Sequence, residues 1–246
     1  HRLIFVNNGA NAQVVVIDTA KQAIVKRIDV GPRPVHIYNP LGGDEIWTHS
    51  DEEGAFYVID AKALEVKGKV VAALKGTGHG KLLYHKELGS KAYATNTNDP
   101  AVFVLDLEKK QVTKTIDLCD GKGGTHGKAY STLSKHAYFE CSDIGKTAVV
   151  DTTTDTLVKY LDGSGQIFTS PDEKLVLVVD KRAGQVHVVD ATKGSEIVAS
   201  IPVEGGPDKV YFHQQGGKLV AFTANTLTPD VAVLDLQAMK LVKRIA

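Results

Sequence analysis

Apolar and polar positions alternate in short runs along this chain, and the runs recur at a steady interval. Six times an alternating segment ends in aspartate: VVVID at Asp18, FYVID at Asp60, VFVLD at Asp106, TAVVD at Asp151, VHVVD at Asp190 and VAVLD at Asp235. Successive aspartates lie 42, 46, 45, 39 and 45 residues apart. Ten residues before each stands a second aligned position, filled by Asn8, Ser50, Asn96, Cys141, Asp180 and Asn225, each closing a further strand-like segment. A third segment follows every aspartate after a short polar turn, as in AIVKRIDV (23–30), and a fourth, such as VHIY (35–38), leads into the next unit. Period-two alternation between turn residues predicts strands, and no stretch has the 3.6-residue period of an amphipathic helix. Four strands in each unit of roughly 40–45 residues is the pattern of propeller blades. The chain is therefore expected to be all-β: a single β-propeller domain over 1–246, with about six blades of four antiparallel strands. The first unit opens on its second strand, so the first blade is expected to lack its inner strand.

Composition narrows the classes of partner. Twenty-nine basic residues balance twenty-nine acidic ones, which leaves no overall field to hold a polyanion, so nucleic acid is not expected. No apolar run approaches the roughly 18 residues of a membrane span. The chain opens directly on a strand-like segment, with no leader sequence in view. Two cysteines, Cys119 and Cys141, fit either one disulfide in an oxidising compartment or two thiols in a reducing one.

In a propeller, the loops entering the inner strands and those joining the second strand to the third share one face, around the channel mouth. Sorting the nine histidines by strand position places His36, His49, His79 and His126 on that face. The other five, His1, His85, His136, His187 and His213, read as surface or strand filler. Aligning the inner-strand entries gives one column of Pro34, His79, His126, Ser164 and Pro207, and a second of His36, Lys81, Lys128, Gln166 and Lys209. Residues two apart on a strand share a side. Imidazole, thiolate and carboxylate from His36, His49, His79, His126, Cys141 and Asp180 would suit zinc or copper. Lys81, Lys128 and Lys209 could instead form a collar for a small anion, and their ammonium groups oppose a bare cation. Cys119 ends a fourth strand and Cys141 the next second strand. That placement allows a disulfide between neighbouring blades, a soft metal ligand at Cys141, or two separate thiols. The repeated aspartates open turns and are expected to cap backbone N–H groups, not to do acid–base work.

Asparagine closing the second strand, the V-x-V-I-D third strand and the Gly31-Pro-Arg-Pro34 entry together resemble the YVTN-type propeller repeats. That resemblance covers essentially the whole chain and implies the fold and an envelope location, periplasmic or extracellular. The segment THGKAYSTLSKHAYFECSD more distantly resembles periplasmic zinc-chaperone propellers, which carry a histidine-glycine pair and a cysteine at comparable positions. It departs from them in lacking a histidine-rich loop, and Thr125 stands where a second cysteine is found. The functional expectation is a non-enzymatic binding propeller for a transition metal or small anion. The alternative is a structural, protein-interaction propeller, and a metal-dependent enzyme ranks third.

Overall fold

The computed structural model describes residues 2–246, with the backbone alone for Gln215; His1, set aside above as filler, lies outside the described residues. The chain divides into two compact units, one running to Thr125 and the other starting at His126. The first unit holds three sheets. β1 (Leu3–Asn8), β2 (Gln13–Asp18) and β3 (Ala23–Asp29) form the first, which has three strands, as the repeat pattern predicts. β4 (Pro34–Tyr38), β5 (Glu45–Ser50), β6 (Ala55–Asp60) and β7 (Glu65–Val71) form the second. β8 (Gly80–Leu83), β9 (Lys91–Asn96), β10 (Ala101–Asp106) and β11 (Gln111–Asp117) form the third.

The second unit repeats the theme. β12 (Thr125–Ser131), β13 (His136–Cys141), β14 (Lys146–Asp151) and β15 (Thr156–Asp162) make one four-stranded sheet. β16 (Gln166–Thr169), β17 (Leu175–Asp180), β18 (Gln185–Asp190) and β19 (Glu196–Pro202) make the next. β20 (Pro207–Gln215), β21 (Lys218–Asn225), β22 (Val231–Asp235) and β23 (Lys240–Ile245) make the last. Every sheet is antiparallel and pairs strands that are consecutive in sequence. Among the described residues no helix is long and apolar enough to cross a membrane.

The repeated aspartates explain the uniform turns. Oδ1 of Asp60 accepts from the N–H groups of Lys62 and Ala63, and Asp18, Asp106, Asp151 and Asp235 do the same at their own turns. Four residues after each aspartate comes a left-handed residue: Gln22, Leu64, Lys110, Asp155, Gly194 and Met239. A register shift follows in every third-to-fourth strand pair, for example between Val58 and Ile59. The bulge tightens the local twist.

Third strands such as β10 are buried on both sides, so their pattern is nearly continuous apolar instead of alternating. The outermost strands β3, β7 and β11 are mostly exposed, with Ile28, Val70 and Ile116 buried and reaching into the core. In the first unit, Trp47, Phe56, Leu82, Phe103 and Leu105 form one apolar cluster across the second and third sheets. In the second unit, Leu177, Val188, Ile201, Val210 and Leu234 do the same.

Candidate functional site

In the first unit, polar side chains gather where β4, β5 and the loop before β8 meet. β4 departs from regular pairing: the register shifts between Val35 and Ile37, and His36 is left out of the ladder with φ +55°. For a residue carrying Cβ that backbone costs about 1–2 kcal/mol and needs an enforcing structure. Asn7 supplies part of it, donating its amide N–H to the His36 carbonyl at 2.9 Å while its own Oδ1 accepts from the Thr48 hydroxyl. The bulge turns the exposed His36 ring toward His79, with Nε2 facing Nε2 at 3.0 Å and ring centroids 4.9 Å apart.

Asp51 stands behind this pair. It is 5% exposed, and its Oδ2 lies 3.1 Å from His79 Nδ1 while its Oδ1 lies 3.1 Å from His49 Nδ1. Arg33 flanks the same carboxylate at 3.7 Å. An Nδ1–H donated to a carboxylate fixes the tautomer and leaves the Nε2 lone pair of His79 directed at His36, the arrangement that orients histidine ligands in metal sites. His49 is fully buried, and burial pushes its imidazole down to about 4, outweighing the pull of Asp51 in the other direction. Its Nε2 has no hydrogen-bond partner and packs against Gly80, where an added Cβ would lie 2.3 Å from it. His49 therefore braces Asp51 from inside, and its Nε2 faces protein instead of an open site. A shallow cavity of about 380 Å³ beside His79 is lined by Asp51, Glu52, Arg33 and Thr77.

The second unit holds the other predicted residues. His126, in β12, places Nδ1 2.9 Å from the Gln166 amide and 3.5 Å from Glu140 Oε2. Asp180 closes β17, accepts from the Ala183 N–H at 2.9 Å and the Ser164 N–H at 3.3 Å, and sits 3.9 Å from His187 Nε2. Lys209 pairs with Asp208 at 3.9 Å, and Lys81 and Lys128 are half-buried on their inner strands. Neither cysteine is a free thiol: Cys119 and Cys141 are fully buried and disulfide-bonded. That corrects the reading of Cys141 as a soft ligand, because a disulfide sulfur offers no thiolate.

Among the described residues, no three His, Cys, Asp or Glu side chains form a set able to hold a metal ion. What the first unit offers is a facing imidazole pair with a carboxylate behind it. Sequence reasoning missed Asp51, Arg33 and Glu140. A signal for Asp51 was present: the residue following the aligned second-strand position is Gly9, Asp51, Thr97, Ser142, Lys181 or Thr226, and only one of these is a carboxylate. The partnership of His187 with Asp180 was missed too, and nothing in the local sequence announces it.

No family model matches the chain. It is 23% identical over 207 residues to Antigen Lp49 of Leptospira interrogans serogroup Icterohaemorrhagiae serovar copenhageni (strain Fiocruz L1-130), covering 76% of this chain and 44% of that protein. It is 29% identical over 205 residues to the uncharacterized protein YncE of Salmonella typhi, covering 74% of this chain and 57% of that one. The chain thus spans about half the length of the curated relatives it matches. Among solved structures, the dihydro-heme d1 dehydrogenase NirN in complex with DHE matches all of this chain and 54% of its own, at 18% identity and a TM-score of 0.79. Kuenenia stuttgartiensis hydrazine synthase matches 99% of this chain and 83% of its own, at 15% identity and 0.67. The likenesses support the β-propeller fold, with the six sheets as its blades.

Proposed function

We infer that this chain is a non-enzymatic binding propeller of the YVTN type that takes a transition-metal cation at His36 and His79. The observation that carries this reading is the pair of Nε2 atoms 3.0 Å apart, held there by a strained bulge on one side and Asp51 on the other. Neutral imidazole suits zinc or copper. Two protein nitrogens leave further coordination positions to water or an incoming ligand, which is the character of an open, exchangeable site and not of a closed structural one. Local charge favours a cation over an anion, since Asp51 and Glu52 outnumber Arg33 around the cavity. His126 and Asp180 belong to a different constellation in the second unit and are not part of this pair.

A disulfide supports an oxidising compartment, periplasmic or extracellular. A second reading, a protein-interaction propeller of the cell envelope, draws on the likeness to Lp49, an antigen, and on the exposed Ile4 and Val6 of β1.

Plasma mass spectrometry and competition titration with zinc and copper separate the two. Binding of one ion per chain that is lost in His36→Ala and in His79→Ala, and kept in His126→Ala, supports the metal reading. No stoichiometric metal in the wild type after reloading, or equal retention in all three variants, sinks it and favours the second.

A further inference from the structure

The second unit contains a cleft of about 880 Å³ at one end of its three sheets, apart from the histidine pair. Its lining combines both charges with an apolar rim. Glu140 comes from the end of β13, Asp180 from the end of β17 and Asp208 from the start of β20, so each sheet of the unit contributes one carboxylate. Asp180 is 9% exposed, and its oxygens are oriented by the Ala183 and Ser164 N–H groups. Glu140 is likewise fixed, its Oε2 accepting from the Gly127 N–H at 2.8 Å. Opposite in sign, Lys181 and Arg182 leave the turn after β17, and Arg182 donates from one terminal nitrogen to the Ser142 carbonyl at 3.3 Å. That bond ties two neighbouring sheets together at the cleft and spends one of the five N–H donors of the guanidinium, whose planar fork suits a carboxylate. Leu227, 76% exposed, lies in the loop between β21 and β22 and forms an apolar rim.

A concave site with a few convergent polar groups and an apolar edge is built for a small ligand. Three carboxylates call for an ammonium group, the clasping arginine for a carboxylate, and Leu227 for an apolar side chain. We propose that this cleft binds a small zwitterion, an α-amino acid or short peptide with an apolar side chain. Its amine lies toward Glu140, Asp180 and Asp208, and its carboxylate on Arg182. This site is independent of the metal reading.

Calorimetric titration of the full chain with leucine and glycyl-leucine tests it, with N-acetyl-leucine and leucinamide as probes lacking one charge each. Leucine binds saturably at one site, and both blocked compounds bind at least about tenfold more weakly, as losing one charge-assisted hydrogen bond requires. Arg182→Gln removes the preference for leucine over leucinamide, while Asp208→Asn narrows that for leucine over N-acetyl-leucine. Thermal unfolding verifies that both exposed-site variants remain folded. Absence of saturable leucine binding overturns the proposal. So does equal binding of leucine and leucinamide, or a preference that survives Arg182→Gln.

Discussion

Two buried histidines show how the same repeat can be put to different ends. His49 in the first unit and His187 in the second each lie in a strand interior or end, each has Nε2 without a hydrogen-bond partner, and each has that side of the ring covered by a glycine. In both, burial lowers the imidazole below its ordinary range. They diverge at Nδ1. His49 is bonded to Asp51, which passes the contact on to His79 and so to the surface pair. His187 is bonded to the Ser200 hydroxyl within its own sheet, and Asp180 lies at 3.9 Å. One buried imidazole is thus wired to a candidate site, while the other fills the wall behind a cleft. The contrast teaches that histidine count along the repeats carries less information than what each Nδ1 is bonded to.

The largest effects expected come from the two covering glycines. A Cβ at Gly163 would lie 2.3 Å from the His187 ring, and its φ of +91° is one that other residues rarely adopt. Overpacking costs about 1–3 kcal/mol and the backbone a further ~1–2 kcal/mol. Gly80→Ala meets the His49 ring at the same distance without the backbone strain, so chemical denaturation should rank it as the milder change. The comparison sharpens in metal titrations, where Gly80→Ala should weaken binding by displacing Asp51 and Gly163→Ala should not. Equal effects on metal affinity would show that the two histidines are not wired differently.

Acid comes next. His49 titrates at about 4 when folded and at its ordinary 6.5 when unfolded, facing Asp51 and the ring of His79. Between those values the unfolded chain holds the extra proton, so stability falls as pH drops from 6.5 to 4 and is insensitive to this group outside that window. The loss amounts to about 3 kcal/mol. Urea denaturation across pH 4–7 should show a shallower slope for His49→Gln than for the wild type. An unchanged slope would mean that His187 and His136, which are also lowered by burial, account for the acid sensitivity.

At the carboxylates, Asp51→Asn should weaken metal binding by about 10–100-fold, the usual effect of losing the group that orients a histidine ligand. Asp180→Asn, in the second unit, should leave it unchanged. A loss of similar size in both would erase the distinction between the regions.

How far the sequence reached follows the same divide. The strands, the three-stranded first sheet and the capping aspartates were legible because each rests on a local rule repeated six times. His36 and His79 were both picked out, but from different columns of the alignment. Their convergence depends on a bulge at His36 that no glycine marks, held by Asn7 and Thr48 from two other strands. His49 was read as a ligand, since a second-strand terminus looks open until the loop at Gly80 is seen to cover it. Arg182 and Glu140 carry no local signal, because Arg182 is held by Ser142, forty positions away, and Glu140 by Gly127 on the preceding strand.

The smallest expected effect separates strain from packing. His36 occupies a left-handed backbone in β4, whereas Gln166, its counterpart in β16, sits in a ladder with unshifted register. Glycine at position 36 relieves about 1–2 kcal/mol of backbone strain and gives back roughly 0.5–1 kcal/mol through the greater freedom of the unfolded chain. His36→Gly should therefore leave stability unchanged or raise it by up to ~1.5 kcal/mol, while abolishing the imidazole pair and with it the metal. Gln166→Gly has no strain to relieve and should destabilise by ~0.5–1 kcal/mol. Urea midpoints for the two variants read the difference directly. A stabilised or neutral His36→Gly that no longer binds zinc would mean the chain tolerates strain at this residue for the sake of the ligand. A destabilised one would place the ring contacts with His79 and Tyr38, at 4.9 and 5.9 Å, among the interactions that hold the sheet together, and would turn the bulge into a packing feature.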